Sequence, residues 1–123
     1  MIAEGKMTGF LITTDYEKAR EFYERKLGFE FVSLDQFALV VQVGGHHIRI
    51  TKSTKFTPLQ STVLGWEVND VEAAVKWLAS RGVTTEKYPF VPDKKLGIWD
   101  APGGGKVAWF KDPDGNVLSL SQH

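Results

Sequence analysis

Apolar residues follow the same order twice along the chain. A short apolar run covers residues 10–12 and another covers residues 63–68, and each ends in polar residues. After each run, apolar side chains recur at three- and four-residue steps, which predicts amphipathic helices over residues 14–27 and 70–81. The apolar positions of the second helix are Val71, Ala74, Val75, Trp77 and Leu78.

Both predicted helices carry start and stop signals in phase with each other. The polar pairs with the spacing of a capping box are Thr14 with Glu17 and Asn69 with Glu72. Gly28 and Gly82 follow the last helical turns, where a residue in the left-handed conformation commonly ends a helix. Because caps, apolar faces and stop residues all recur together, we interpret the chain as an internal repeat.

Strand patterns follow each glycine. The predicted strands of the first half cover residues 29–32, 37–43 and 46–51, and those of the second half cover residues 84–88, 97–99, 106–111 and 117–121. Gly44-Gly45 is typical of a two-residue hairpin turn, and Asp112-Pro113-Asp114-Gly115 of a turn between the last two strands. We therefore predict an α+β fold of two βαβββ modules in tandem, at about residues 7–52 and 61–121 of one domain.

Composition narrows the class of protein. The 123 residues are 42 % apolar and 24 % charged, as is typical of a globular domain that folds alone. Fifteen basic side chains against fifteen acidic ones provide no electrostatic reason to expect binding to nucleic acid or to an anionic membrane.

The absence of cysteine excludes disulfides and thiolate metal sites and fits a reducing compartment. With no apolar run near the roughly 18 residues of a membrane span, we expect a cytoplasmic protein.

Three stretches of the chain resemble a known family. They are Thr14 to Phe29 with its Phe22-Tyr23 and Leu27-Gly28-Phe29, Val68 to Ala74 with its Asn69-Asp70, and Trp109 to Leu120 with its Asp-Pro-Asp-Gly turn. Together they resemble the glyoxalase, bleomycin-resistance and extradiol-dioxygenase superfamily, also called vicinal oxygen chelate. The resemblance implies two βαβββ modules whose sheets curl round a cavity, a homodimer and, in the enzymes of the superfamily, a divalent metal ion in that cavity.

The resemblance also implies where metal ligands would lie. They are a histidine on the strand before each helix and a carboxylate in the middle of the last strand of each module. The matching positions in this chain are Thr8, Val63, Arg49 and Ser119. None of these is an ordinary ligand for a divalent cation, and Arg49 would place a fixed positive charge beside the ion. We therefore expect no metal cofactor.

Side-chain alternation suggests which residues face the cavity. In the strand around Glu67 the large apolar side chains occupy the alternate positions, so Glu67 lies on the concave face as a base, a partner for Arg49 or a ligand contact. Trp99 and Trp109 offer stacking surfaces, whereas Trp66 and Trp77 fit the layer between helix and sheet. The predicted ligand-binding residues are Phe10, Arg49, Glu67, Trp99, Trp109 and Ser119.

Two functions remain open from the sequence. The favoured one is a metal-free binding protein that takes a small organic ligand in the concave cavity, with Arg49 holding an anionic group of the ligand or pairing with Glu67. The alternative is a lyase, isomerase or dioxygenase of the same superfamily, with an unorthodox metal site or with acid–base chemistry at Glu67. No catalytic residue is identified.

Overall fold

The computed structural model describes residues 1–123 and divides them into two compact units, Met1–Thr57 and Pro58–His123. Each unit consists of a strand, a helix and three further strands that form one mixed four-stranded sheet. The predicted α+β class and the tandem βαβββ repeat are therefore confirmed. Neither helix approaches the length that crossing a bilayer requires.

The first unit has short, regular elements. They are a 3₁₀ turn (Ile2–Glu4), β1 (Thr8–Thr13), α1 (Tyr16–Arg20) with a π-helical continuation (Glu21–Lys26), β2 (Glu30–Leu34), β3 (Leu39–Val43) and β4 (His46–Lys52). The strands lie in the order β1-β4-β3-β2, with β1 parallel to β4 and the other pairs antiparallel. Gly44 and Gly45 join β3 to β4 with φ angles of +56° and +78°, as the predicted hairpin turn requires.

Alternation along β4 separates two faces of the first sheet. Ile48 and Ile50 are buried, as are Phe22 and Tyr23 of the helical segment, so these apolar side chains form the core of the unit. Arg49 points to the opposite side of the strand and is half-buried. We call the face that carries Arg49 the open face of the first unit.

The second unit repeats the order with different lengths. Its elements are β5 (Thr62–Glu67), α2 (Val71–Ser80), β6 (Trp99–Asp100), β7 (Lys106–Lys111) and β8 (Val117–Gln122). The strand order is β5-β8-β7-β6, with β5 parallel to β8. The side of α2 that carries Val71, Val75 and Leu78 is buried, and this helix lies against β7 and β8. The face of the sheet that points away from α2 is the open face of the second unit.

The helix caps differ from the predicted ones by one residue. Asp15, rather than Thr14, accepts hydrogen bonds from the backbone N–H groups of Glu17 and Lys18. Asp70, rather than Asn69, accepts one from Ala73. In both units the aspartate has the extended backbone of an N-cap, and its carboxylate reaches free N–H groups of the first turn.

The predicted helix stops are confirmed. Gly28 and Gly82 have φ angles of +78° and +81°. After α2, the Val83 N–H donates to the Leu78 carbonyl and the Gly82 N–H to the Ala79 carbonyl, which is the pattern of a Schellman motif. The glycines are needed because a left-handed backbone is strained for residues with a Cβ atom.

Three predictions for the second unit are wrong. Residues 84–88 form no strand, and the strand predicted at residues 97–99 is only the short β6. The β-branched residues of this region are typical of a strand, but the backbone forms no strand ladder: the Glu86 N–H makes a single bond to the Trp109 carbonyl, and the Thr85 and Leu96 carbonyls accept from side chains. Trp77, predicted to be buried, is 47 % exposed on α2, where the Arg81 guanidinium lies 5.6 Å from the centre of its ring.

Candidate functional site

The open face of the second unit has small residues on its central strand β8 and aromatic residues on β6 and β7. Strand register places Gly65, Ser119 and Trp109 side by side across three strands. The next row across the sheet consists of Glu67, Ser121, Val107 and Trp99. The two tryptophans therefore stand beside a shallow, mainly polar strip of sheet.

Four aromatic side chains form a cluster on this face. They are Tyr88, Phe90, Trp99 and Trp109, which we call the aromatic cluster. The rings of Tyr88 and Phe90 stack almost parallel, with centroids 5.6 Å apart, and both meet Trp109 edge-on at 5.6 Å. Trp99 lies 6.1 Å from both Phe90 and Trp109. These separations are those of favourable aromatic pairs.

Phe90 is 59 % exposed even though it contacts three other rings of the cluster. The other three rings are half-buried, so each has part of its surface turned away from solvent. A continuous aromatic surface of this kind is what pockets for organic molecules commonly present to their ligands.

The loop between α2 and β6 supplies half of this cluster. Tyr88 and Phe90 both lie in residues 85–97, which we call the aromatic loop. The loop is joined to the sheet where the Glu86 N–H donates to the Trp109 carbonyl at 2.8 Å. Its position on the open face is therefore set next to the tryptophan that it contacts.

Charged groups near the cluster are mostly paired. Lys106 Nζ lies 2.6 Å from an Asp100 carboxylate oxygen, and this carboxylate raises the pKa of Lys106. Lys111 Nζ lies 3.6 Å from a Glu86 carboxylate oxygen. Glu67, at the far end of its row, is exposed. The aromatic surface thus has a rim of ion pairs and a carboxylate at one side.

The open face of the first unit is different. Strand register places Arg49 between Phe10 on β1 and Val40 on β3. Phe10 is 66 % exposed. The pKa of Asp35 is lowered, chiefly by the backbone N–H groups of Phe37 and Ala38 and to a smaller degree by the charge of Arg49. This face combines one exposed ring with one fixed cation.

The structure divides the predicted ligand residues between the two units. Trp99, Trp109, Ser119 and Glu67 share the open face of the second unit, where Trp109 and Ser119 are direct cross-strand neighbours. Phe10 and Arg49 are neighbours on the open face of the first unit. No measurement tests whether these six residues bind a ligand, so they remain predictions.

Sequence reasoning missed Tyr88 and Phe90 as site residues. Tyr88 was assigned to a strand, and Phe90 stood in a Pro- and Lys-rich stretch without periodicity. The only signal in the sequence was the Tyr-Pro-Phe triplet itself, since two aromatic residues in an irregular polar loop have no helix or strand face to join.

The four positions that would hold the superfamily's metal ion do not fit such an ion. Val63 and Arg49 offer no donor atom to a cation, and Thr8 and Ser119 offer only hydroxyl groups. Within either unit, no group of three or more histidine and carboxylate side chains is arranged to hold a metal ion.

Comparisons with known proteins agree with this architecture. A family model, the glyoxalase/bleomycin resistance protein/dioxygenase superfamily, matches residues 7–120. The chain is similar to a bleomycin resistance protein of Klebsiella pneumoniae, with 29 % identity over 120 residues covering 92 % of this chain and 88 % of the relative.

Several solved structures have a similar fold. The crystal structure of a bleomycin-binding protein complexed with bleomycin has a TM-score of 0.73 and 26 % identity, and covers 97 % of this chain and 98 % of its own. An antibiotic-binding protein from a Streptomyces species has a TM-score of 0.71 and 25 % identity, covering 96 % and 94 %. With the tandem βαβββ units and a family match over nearly its whole length, the chain belongs to the glyoxalase/bleomycin resistance protein/dioxygenase superfamily.

Proposed function

We propose that this protein binds a small organic ligand with a planar aromatic part, and that the aromatic cluster is the surface on which that part stacks. The observation that carries the proposal is Phe90, whose ring is 59 % exposed yet held against Tyr88, Trp99 and Trp109. Apolar surface removed from water on binding contributes roughly 25 cal/mol per Å², so stacking a ligand on this cluster is favourable.

The relatives support a binding function. A bleomycin-binding protein and an antibiotic-binding protein have the same fold over almost the whole chain at about one-quarter identity. Bleomycin is therefore the first ligand to test, and the proposed ligand class is broader: planar aromatic compounds that carry polar groups.

Each predicted ligand residue has a proposed role. Trp99 and Trp109 stack on the ligand, Ser119 donates or accepts a hydrogen bond beside Trp109, and Glu67 contacts a polar group at the other side of the sheet. The open face of the first unit is proposed separately as a contact surface, on which Phe10 contributes apolar surface and Arg49 holds an anionic group through its guanidinium.

The proposed binding needs no metal ion. Arg49 would repel a divalent cation by roughly 4 kcal/mol per unit charge at about 4 Å and an effective dielectric near 20. Calorimetry with Zn²⁺, Ni²⁺, Mn²⁺ and Fe²⁺ should show no tight stoichiometric binding. A tight site for any of these ions would contradict metal-free binding and support the enzyme alternative.

The binding proposal is tested by titrating metal-free bleomycin and following tryptophan fluorescence. Trp99 and Trp109 lie in the cluster, so their emission should change on binding. Phe90→Ala should weaken binding about tenfold, the effect of removing one good aromatic contact of about 1.4 kcal/mol. The matched control is Trp77→Phe, which changes an exposed ring on α2 and should leave the affinity unchanged.

A second series distinguishes the ligand class. If bleomycin does not bind, the same titration is repeated with 8-anilinonaphthalene-1-sulfonate, an aromatic anion whose naphthalene ring is planar. A site for that anion on the open face of the first unit should weaken by roughly 2 to 5 kcal/mol in Arg49→Glu if the guanidinium pairs with its sulfonate in a desolvated site. Binding of neither probe, or binding that Phe90→Ala does not alter, would contradict the proposal.

We also propose that the protein is a cytoplasmic homodimer. Each sheet leaves two edge strands, β1 and β2 in the first unit and β5 and β6 in the second, and a symmetric partner can cover such edges. Sedimentation at tens of micromolar protein should give twice the 13.8 kDa of one chain. A single 13.8 kDa species would contradict the dimer.

A further inference from the structure

The aromatic loop is closed by side chains rather than by strand pairing. At its neck the Thr85 hydroxyl donates to the Leu96 carbonyl at 2.6 Å. The ammonium of Lys87 donates to both the carbonyl and the hydroxyl oxygen of Thr85 at 2.8 Å. Gly97 packs so closely here that a Cβ atom would lie 2.7 Å from the Glu86 carbonyl oxygen. The two ends of the loop are therefore held together.

Inside the loop, one carboxylate organises the returning backbone. Asp93 Oδ1 accepts hydrogen bonds from the N–H groups of Leu96 at 2.9 Å and Lys95 at 3.0 Å. Its Oδ2 accepts from the Ile98 N–H at 3.3 Å. The same groups lower the pKa of Asp93, chiefly the Leu96 N–H, so the carboxylate is charged at neutral pH. Charge-assisted bonds of this kind are stronger than neutral ones.

The outgoing half of the loop is tied to the same turn. Lys94, next to Asp93, donates from Nζ to the Tyr88 carbonyl at 2.7 Å. The Val91 N–H also donates to the Tyr88 carbonyl, at 3.0 Å, and the Val91 side chain is fully buried. Phe90 stands between these two anchored positions, so its exposed ring is kept against the tryptophans without strand pairing.

We propose that Asp93 is a positioning residue for the ligand site: by ordering residues 93–98, the half of the aromatic loop from which Lys94 reaches the Tyr88 carbonyl, it presents Tyr88 and Phe90 in their stacked arrangement before the ligand arrives. This inference rests on the proposed function, because it assigns Asp93 a role in the affinity of the aromatic cluster. Asp93 has its oxygens committed to backbone N–H groups and acts through the two rings rather than on the ligand itself. An aromatic cluster that is already ordered binds the ligand more tightly, because ordering side chains on binding lowers the affinity.

Three variants test the inference. Asp93→Ala removes all three backbone bonds, and Asp93→Asn can keep the two that Oδ1 accepts. Glu72→Ala is the control, since it removes an exposed carboxylate on α2, outside the aromatic loop and the cluster, that pairs with Lys76 at 3.7 Å. For each protein, hydrogen exchange of the Leu96 and Ile98 amides, near-ultraviolet circular dichroism and the dissociation constants of bleomycin and 8-anilinonaphthalene-1-sulfonate are measured.

The expected results separate the two proposals. In Asp93→Ala, exchange at Leu96 and Ile98 should speed up at least tenfold, the aromatic circular dichroism should fall, and the dissociation constant of whichever probe binds should rise roughly 5- to 50-fold. Asp93→Asn should bind the probe within about threefold of the wild-type affinity, because its Oδ1 can keep the hydrogen bonds from the Lys95 and Leu96 N–H groups. Glu72→Ala should match the wild type in all three measurements.

Contrary outcomes are equally distinct. If Asp93→Ala frees the loop amides but binds the probe as tightly as the wild type, or if the amides stay protected, the positioning role is wrong while ligand binding stands. If neither probe binds the wild type, the proposed function fails. In that case exchange and circular dichroism still report whether Asp93 orders the loop, and an unchanged signal in Asp93→Ala overturns that part as well.

Discussion

The two βαβββ units share a strand order but differ in the segment that follows the helix. In the first unit, β2 begins two residues after Gly28 and pairs with β3. In the second unit, residues 83–98 form no strand, and the edge of the sheet is the two-residue β6. The first unit therefore keeps a five-residue edge strand, whereas the second has the aromatic loop in its place.

The difference shows how a repeat can keep its core and change its surface. Both units bury an apolar helix face against alternate residues of the sheet, and this requirement constrains the sequence of both. An edge strand is held only on one side, so it can be replaced by a loop if the backbone groups find other partners. In the second unit Thr85, Lys87 and Asp93 provide those partners.

The largest expected effect is on the free energy of unfolding, and it distinguishes the buried face of the second unit from its open face. Phe110 is buried and stacks on Trp66, so Phe110→Ala should lower the free energy of unfolding by about 3–5 kcal/mol. Phe90→Ala removes the same ring from the exposed cluster and should cost less than about 1 kcal/mol. Urea denaturation of both variants measures the difference. Equal losses would mean that Phe90 belongs to the core rather than to a ligand surface.

The next effect tests whether the loop neck is packed more tightly than a helix stop. Gly97 and Gly28 both have positive φ, but a Cβ atom would meet backbone only at Gly97. Gly28→Ala should cost about 1 to 2 kcal/mol from the left-handed conformation alone. Gly97→Ala should cost clearly more, because the Glu86 carbonyl must also move, and thermal unfolding should show this order. The reverse order would contradict the closed neck.

The helix caps should contribute similarly in the two units, by a smaller amount. Asp15→Ala and Asp70→Ala should each destabilise by about 1 kcal/mol, the usual contribution of an N-cap. Asp15 accepts two N–H groups and Asp70 one, so Asp15→Ala should have the larger effect. Thermal melts followed by far-ultraviolet circular dichroism measure both. If Thr14→Ala proved more destabilising than Asp15→Ala, the cap assignment would be wrong.

The smallest effect concerns pH and one loop carboxylate in each unit. The pKa values of Asp35 and Asp93 are lowered, Asp35 chiefly by the Phe37 N–H and Asp93 chiefly by the Leu96 N–H. A lowered folded-state pKa gives stability that is present above the unfolded pKa and is lost as pH falls through the folded pKa.

Stability should therefore decline on acidification below about pH 4, the ordinary aspartate range, and this decline should be smaller in Asp35→Asn and Asp93→Asn. Carboxyl carbon NMR titration measures both groups directly. In Arg49→Gln the pKa of Asp35 should rise only slightly, because the charge of Arg49 lowers this pKa less than the Phe37 and Ala38 N–H groups do. A titration of Asp35 or Asp93 at its ordinary pKa would contradict these hydrogen bonds.

Much of the fold was predictable because its signals are local. The helices, the glycine stops and the turn at Gly44-Gly45 each depend on a few neighbouring residues, and the repeat follows because these local signals recur in the same order. Alternation also placed Arg49 opposite Ile48 and Ile50, because neighbouring strand residues necessarily face opposite sides. The N-caps were wrong by one residue because Thr14 and Asn69 are as suitable for capping as the aspartates that follow them.

Sequence alone thus determined the two βαβββ units and the residues available to each face. Only the tertiary structure decided that residues 84–88 leave the sheet and that Tyr88 and Phe90 meet Trp99 and Trp109. The reason is that a strand pattern in the sequence predicts which side chains share a face. It does not predict whether the backbone N–H and C=O groups pair with a neighbouring strand. In the second unit the Glu86 N–H makes a single bond to β7, the Thr85 and Asp93 side chains bond to the backbone of residues 95–98, and the aromatic residues pack with one another.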